Sequence, residues 1–170
     1  MERARSIRRG SGQRGVTLLE LIVVIAIIGL SVGITLPNLV QFFRQLALNN
    51  AMRTFTSDCR KMRQLAVTDA TRTRVFIASV GAETDRTYRL QRDNAGTWVD
   101  VGANPQTMHE SVSFRSTTFT GGEIIFATNG TVANLPLGDT ANVALRSKFP
   151  DLGRPQYVVT FQPSGQLKVQ

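Results

Sequence analysis

Cysteine, histidine and tryptophan each occur once in these 170 residues, and tyrosine only twice. Cys59 has no second cysteine to pair with, which excludes a disulfide scaffold. Its solitude carries no information on compartment, because oxidising spaces also hold proteins that avoid disulfides. The lone His109 removes most histidine-based metal centres and catalytic triads. Ser111, Ser113 and Ser116 stand near His109 and Glu110, but strand neighbours alternate faces and no nucleophile elbow or oxyanion motif surrounds them. Asp85, Asp93 and Asp100 lack the spacing of an EF-hand, and there is no P-loop, Cys/His cluster, internal repeat or low-complexity tract. These absences lead to the expectation of a protein that is not an enzyme, with no metal and no cofactor.

Acidic residues are also in short supply: 12 Asp plus Glu face 20 Lys plus Arg, for a net charge of +8. The excess is concentrated at one end. Arg3, Arg5, Arg8, Arg9 and Arg14 against Glu2 supply half of it within residues 1–15. From Arg72 onward, 10 basic and 8 acidic residues nearly balance, which is ordinary for a soluble surface.

Long apolar runs, by contrast, are present. Residues 16–36 form 21 positions with a single charge, Glu20, around the core LIVVIAIIGL. As a helix this segment extends about 31 Å, one bilayer core. A cleaved secretory signal has a shorter apolar region and an Ala-x-Ala-like site after it; here the run ends in Thr35-Leu36-Pro37-Asn38. Five arginines before the span and few charges just after it place the N-terminus in the cytoplasm and the rest across the membrane. Glu20 is the residue that a plain anchor does not explain. A carboxylate within a spanning helix costs about 2.5 to 3.5 kcal/mol at the centre, less near the interface, and usually has a partner or a task.

Gly15-Val16-Thr17-Leu18-Leu19-Glu20 resembles the prepilin-peptidase recognition site of type IV pilins and type II secretion pseudopilins: a basic leader ending in Gly, then Glu at the fifth mature position, all ahead of the apolar stretch. The resemblance implies cleavage between Gly15 and Val16 and N-methylation of Val16. Pro37 falls where many family members carry a helix-kinking proline. The implied role of Glu20 agrees with elementary electrostatics. Cleavage leaves a cationic amine on an apolar helix, and burying it in a bundle is costly without a counter-charge. Glu20 would meet the amine of a neighbouring, axially shifted subunit and so set the stagger of assembly.

Beyond Pro37 the pattern is helical and one-sided. Leu48, Met52, Phe55, Cys59, Met62 and Ala66 recur at spacings of three and four, while Arg53, Arg60, Lys61 and Arg63 lie mainly off that stripe. The helix is expected from Val16 to Asp69 or Ala70, bent at Pro37. After Thr73 the chain reads as strands: 74–80, 87–92, 97–101, 112–115, 123–127, 131–135, 142–146, 157–162 and 166–169, with turns at 93–96, 129–130 and 163–165.

The expected fold is α+β and pilin-like: a long N-terminal helix, membrane-spanning in its first half, packed on a small antiparallel β domain. The expected divisions are a basic leader at 1–15, an assembly helix at 16–36, an amphipathic soluble half at 37–71 and a periplasmic β domain at 72–170.

Within this superfamily the chain looks most like H-type pseudopilins and FimT-like minor pilins. Three segments carry that likeness: Met62-Arg63-Gln64-Leu65-Ala66 running into Thr71-Arg72-Thr73-Arg74-Val75; Gly122-Glu123-Ile124-Ile125-Phe126 with Asn129-Gly130; and 159–165, Val-Thr-Phe-Gln-Pro-Ser-Gly. The absence of a C-terminal cysteine pair points away from major pilins, and the presence of Glu20 points away from the tip pseudopilin that lacks it. The implied partners are other pilins or pseudopilins, prepilin peptidase and the bacterial inner membrane. An alternative is DNA uptake: some FimT-like pilins use a basic C-terminal loop, which Gly153-Arg154 resembles, and Arg146, Lys148, Arg154 and Lys168 would be its phosphate contacts.

Overall fold

The computed structural model describes residues 16–136, 140–149 and 156–170. Leader residues 1–15, including Gly15, lie outside them, as does Arg154. One helix, α1, runs Leu18–Thr68. It is helical on both sides of Pro37, whose nitrogen has no hydrogen to donate. The chain divides into two compact units, one ending at Leu39 and the other spanning Val40–Gln170.

In the first unit the side chains of the helix are exposed all round, from Leu18 through Leu36. Such a surface is suited to lipid or to other apolar helices rather than to water. Its hydroxyls are satisfied within the helix: Ser31 donates to the Ile27 carbonyl and Thr35 to the Ser31 carbonyl, both at 2.8 Å.

In the second unit the helix is one-sided. Leu48, Ala51, Phe55, Cys59, Met62 and Ala66 are buried, and Met52 packs against them partly covered. The helix stops at Thr68 because Ala70 turns left-handed (φ 49°) and the Thr71 N–H bonds the Ala66 carbonyl at 3.2 Å.

Two antiparallel sheets cover the stripe. The first contains β1 (Thr73–Ile77), β2 (Thr87–Asn94), β3 (Thr97–Asp100), β4 (Gln106–Thr107) and β6 (Glu123–Phe126), in the order β3-β2-β1-β6 with β4 also on β2. The second is β5 (Val112–Thr117), β7 (Ala141–Ser147), β8 (Gln156–Phe161) and β9 (Leu167–Val169), in the order β5-β7-β8-β9. Loop 78–86 joins the sheets along the edge of β5, where the Gly81 N–H bonds the Phe114 carbonyl at 2.9 Å and the Phe114 N–H bonds the Asp85 carbonyl at 2.7 Å. Asp85 organises that loop by accepting from the Ser79 hydroxyl and the Ala82 N–H, which hold its carboxyl below the usual range.

Helix and sheets meet at three rings. Phe55 of α1 lies edge-on to Tyr88 of β2 (5.3 Å) and to Phe114 of β5 (5.4 Å), and those two are 6.0 Å apart. The Tyr88 hydroxyl returns to the helix, donating to Asp58 Oδ2 at 2.6 Å. Burial, reinforced by that carboxylate, pushes the phenol well above its ordinary pKa. Burial likewise raises the Cys59 thiol, which is a packed core group rather than an accessible nucleophile.

Most expected strands are present within a few residues of their anticipated ends; segment 131–135 is the exception. It forms no strand, only the single bridge Val132–Phe126. The reason is Asn134. The backbone of 131–133 reaches β6 through Ala133 N–H to the Ile125 carbonyl at 2.8 Å, and beyond it the Asn134 amide takes over, accepting from the Ile125 N–H at 2.9 Å and donating to the Glu123 carbonyl at 2.6 Å where a longer strand would otherwise pair. β4 and the 3-10 turn Thr120–Gly122 had no signal in the residue pattern.

The three segments of the minor-pilin likeness converge on one point. Arg63 of α1 donates from Nε to the Gly130 carbonyl and from Nη2 to the Ser164 carbonyl, both at 2.9 Å, which ties the helix to two loops far along the chain. Gly165 sits beneath this tie at φ +75°, and a Cβ there would stand 2.1 Å from the Gly130 oxygen and 2.6 Å from Arg63 Nε.

Two predictions follow from this packing. Gly165→Ala is expected to cost at least about 2 kcal/mol in the Val40–Gln170 unit, and Phe55→Ala about 3 to 5 kcal/mol, both read from urea midpoints. Alkaline pH should also destabilise the fold. A phenol and a thiol whose folded pKa values are raised contribute fully below their unfolded values and lose that contribution as pH rises. Unfolding free energy is therefore expected to drop above about pH 9 to 10, by up to about 1.4 kcal/mol per pH unit for each group. Denaturation of Tyr88→Phe across pH 8 to 11 should show a visibly shallower decline.

Candidate functional site

The candidate assembly segment begins at Val16, the residue whose amine cleavage would free. Thr17 starts the helix: its Oγ1 accepts the Glu20 N–H at 3.2 Å, and its carbonyl accepts the Leu21 N–H at 3.1 Å. Thr17 is thus the N-cap and Glu20 the third helical residue, the spacing of a capping box. The sequence signal for this role of Glu20 is Thr17-Leu18-Leu19-Glu20. A carboxylate in the first turn faces the positive end of the helix dipole, worth about 0.3 to 1 kcal/mol. That offsets only part of the penalty for carrying a charge into an apolar bundle. Among the described residues no cation pairs with it. Its surroundings are exposed Leu18, Leu19 and Leu21, so the segment offers one anionic group on an apolar surface.

Of the four basic residues expected to contact phosphate, Arg154 lies outside the described residues, and the other three are placed as follows. Arg146, on β7, donates from Nη2 to the Gly81 carbonyl at 2.7 Å and is partly buried. Lys148 pairs with Glu83 at 3.4 Å. Lys168 is exposed on β9 beside Thr160 and separated from β7 by β8. Elsewhere in the β domain, Arg72 pairs with Asp93, Arg74 with Glu123 and Arg89 with Asp100. Arg72, helped by the Gly96 N–H, holds the Asp93 carboxyl below its usual range.

His109 and Ser111 do come together, with Nδ1 2.7 Å from Oγ, but the ring nitrogen also lies 3.2 Å from the Ser111 N–H. That geometry is a local turn, and Ser111 is buried. Among the described residues, no three His, Cys, Asp or Glu side chains are grouped so as to hold a metal.

Comparison with known proteins bears on both ends of the chain. Residues 10–36 match the prokaryotic N-terminal methylation motif. The fold is similar to the type IV minor pilin FimU of Pseudomonas aeruginosa, at 14% identity and a TM-score of 0.53, over 76% of this chain and 92% of that one. It is also similar to EpsH, a minor pseudopilin of the type 2 secretion system of Vibrio cholerae, at 15% identity and a TM-score of 0.54, over 72% of this chain and 95% of that one. No curated protein sequence matches. The chain therefore joins a prokaryotic N-terminal methylation motif at residues 10–36 to a fold similar to those of a type IV minor pilin and a minor pseudopilin.

Proposed function

We propose that this protein is a minor pilin or pseudopilin, a structural subunit of a type IV pilus or of a type II secretion pseudopilus. The observation that carries the reading is the sequence of three features along one helix. A capped first turn holds Glu20. An apolar surface, exposed all round, follows it. One buried stripe then anchors the β domain. The first two are what a subunit needs in order to leave lipid and enter a helical bundle; the third lets it carry a folded domain along.

In this reading prepilin peptidase cuts between Gly15 and Val16, Val16 is N-methylated, and the chain waits in the inner membrane with its leader in the cytoplasm and its β domain in the periplasm. Assembly then moves the apolar helix from lipid to neighbouring helices, with little change in the polarity around it. Glu20 sets register by meeting the Val16 amine of a neighbour. The protein catalyses nothing: its work is packing, stagger and the presentation of a surface. Both the FimU-like and EpsH-like routes use the same anchor physics.

Mass spectrometry of chain extracted from membranes with active peptidase should give a mature product starting at methylated Val16; a product that still starts at Met1 would overturn the reading. Glu20→Ala is expected to insert into the membrane normally yet to be lost from sheared filaments and from pulldowns with its partner pilins. Wild-type levels of incorporation would rule out the register role.

A further inference from the structure

A second feature lies outside this assembly segment. The Val40–Gln170 unit has a groove of about 900 Å³ between the start of its helix and the end of the β domain. Val40, Phe43 and Leu46 give it an apolar wall, and each is 40% or more exposed. Arg44, Arg86 and Lys148 supply basic groups along it, and Glu110 is the acidic group among its described lining residues. Arg44 is stacked over Phe149, its guanidinium carbon 3.8 Å from the ring centroid, so charge and apolar surface are held side by side. Lys148 is placed by its own N–H, which bonds the Ser111 carbonyl at 2.8 Å; its pairing with Glu83 is between two well-exposed groups and is therefore weak.

The position of this groove along the chain identifies what it meets. Val40 follows Leu36, the last residue of the apolar run, by four residues, and a chain of that length spans at most about 14 Å. With the run in a bilayer, Val40, Phe43 and Arg44 are held at headgroup depth, where aromatic rings and long basic side chains anchor proteins. Nucleic acid would gain from the cations but nothing from Val40, Phe43 and Leu46. A phospholipid uses both, with phosphate on the basic side chains and glycerol and upper methylenes on the apolar wall.

We propose that this groove binds the headgroup of an anionic phospholipid in the leaflet facing the β domain and holds the unassembled subunit down on the membrane until it is incorporated. The proposal rests on the reading of residues 16–36 as a membrane span, but not on any step of assembly.

The test is photolabelling of the full chain in phosphatidylcholine vesicles that carry a diazirine analogue of either phosphatidylglycerol or phosphatidylcholine, with labelled peptides mapped by mass spectrometry. Peptides covering 40–50 and 86–111 should label severalfold more with the phosphatidylglycerol probe. Near an anionic surface each basic residue is worth about fivefold in binding, so Arg86→Gln with Lys148→Gln should cut that labelling by about tenfold or more. Peptides from 16–36 should label equally in both proteins, and unchanged thermal unfolding will show that the variant is folded.

Labelled span peptides with an unlabelled groove, equal groove labelling from both probes, or undiminished labelling in the variant would each overturn the proposal. So would a groove that takes up an oligonucleotide, or crosslinks to a second chain, in place of the lipid probe. An unlabelled span would remove the membrane reading itself.

Discussion

The fold depends on one constraint: a single face of one helix must serve two sheets at once. Phe55 meets it. Its ring touches Tyr88 from the first sheet and Phe114 from the second, and no other residue of the helix is in ring contact with both. Edge-on aromatic contacts gain somewhat more than their buried area alone, and they fix the angle between the elements that supply the rings. The Tyr88–Asp58 hydrogen bond adds direction to a contact that would otherwise tolerate rotation of the helix. With the helix placed in this way, Leu48 and Ala66 lie along the same core and the rest of the stripe follows.

A second set of ties keeps the loops in place. Arg63 spends its guanidinium on two backbone carbonyls, those of Gly130 and Ser164, and so works as a cross-brace rather than as a free surface charge. Thr73 at the start of β1 does the same on the other side, donating to the Met62 carbonyl at 2.8 Å. Together they join segments distant in the chain into a single junction. Arg63 thereby accounts for part of the positive charge outside residues 1–15.

The helix itself lives in two environments. Its first half has polar side chains that bond back to their own helix and apolar side chains on every face, so lipid and a bundle of similar helices suit it equally well. Its second half has one buried stripe and a wet back. Glu20 is the exception in the first half, held at the capped end where the helix dipole favours it. The two halves of the helix thus satisfy their solvent requirements independently of each other.

The residues alone determined most of the elements. An apolar run of 21 positions marked a helix with no polar face, the three-and-four spacing from Leu48 to Ala66 located the buried stripe, and alternation in Tyr88–Leu90 and Val159–Phe161 marked inward-facing strand positions that are buried. These are local periodicities, and local geometry sets them. Pairing order was not legible: that β6 returns beside β1 while β5 joins β7 depends on contacts between residues far apart. The same holds for Asn134, whose side chain takes over from the backbone where the strand suggested by 131–135 would have continued, and for Arg146, whose charge is tied to a loop carbonyl. A side chain's partner depends on what folding brings within 3 Å of it, and no spacing along the chain carries that distance.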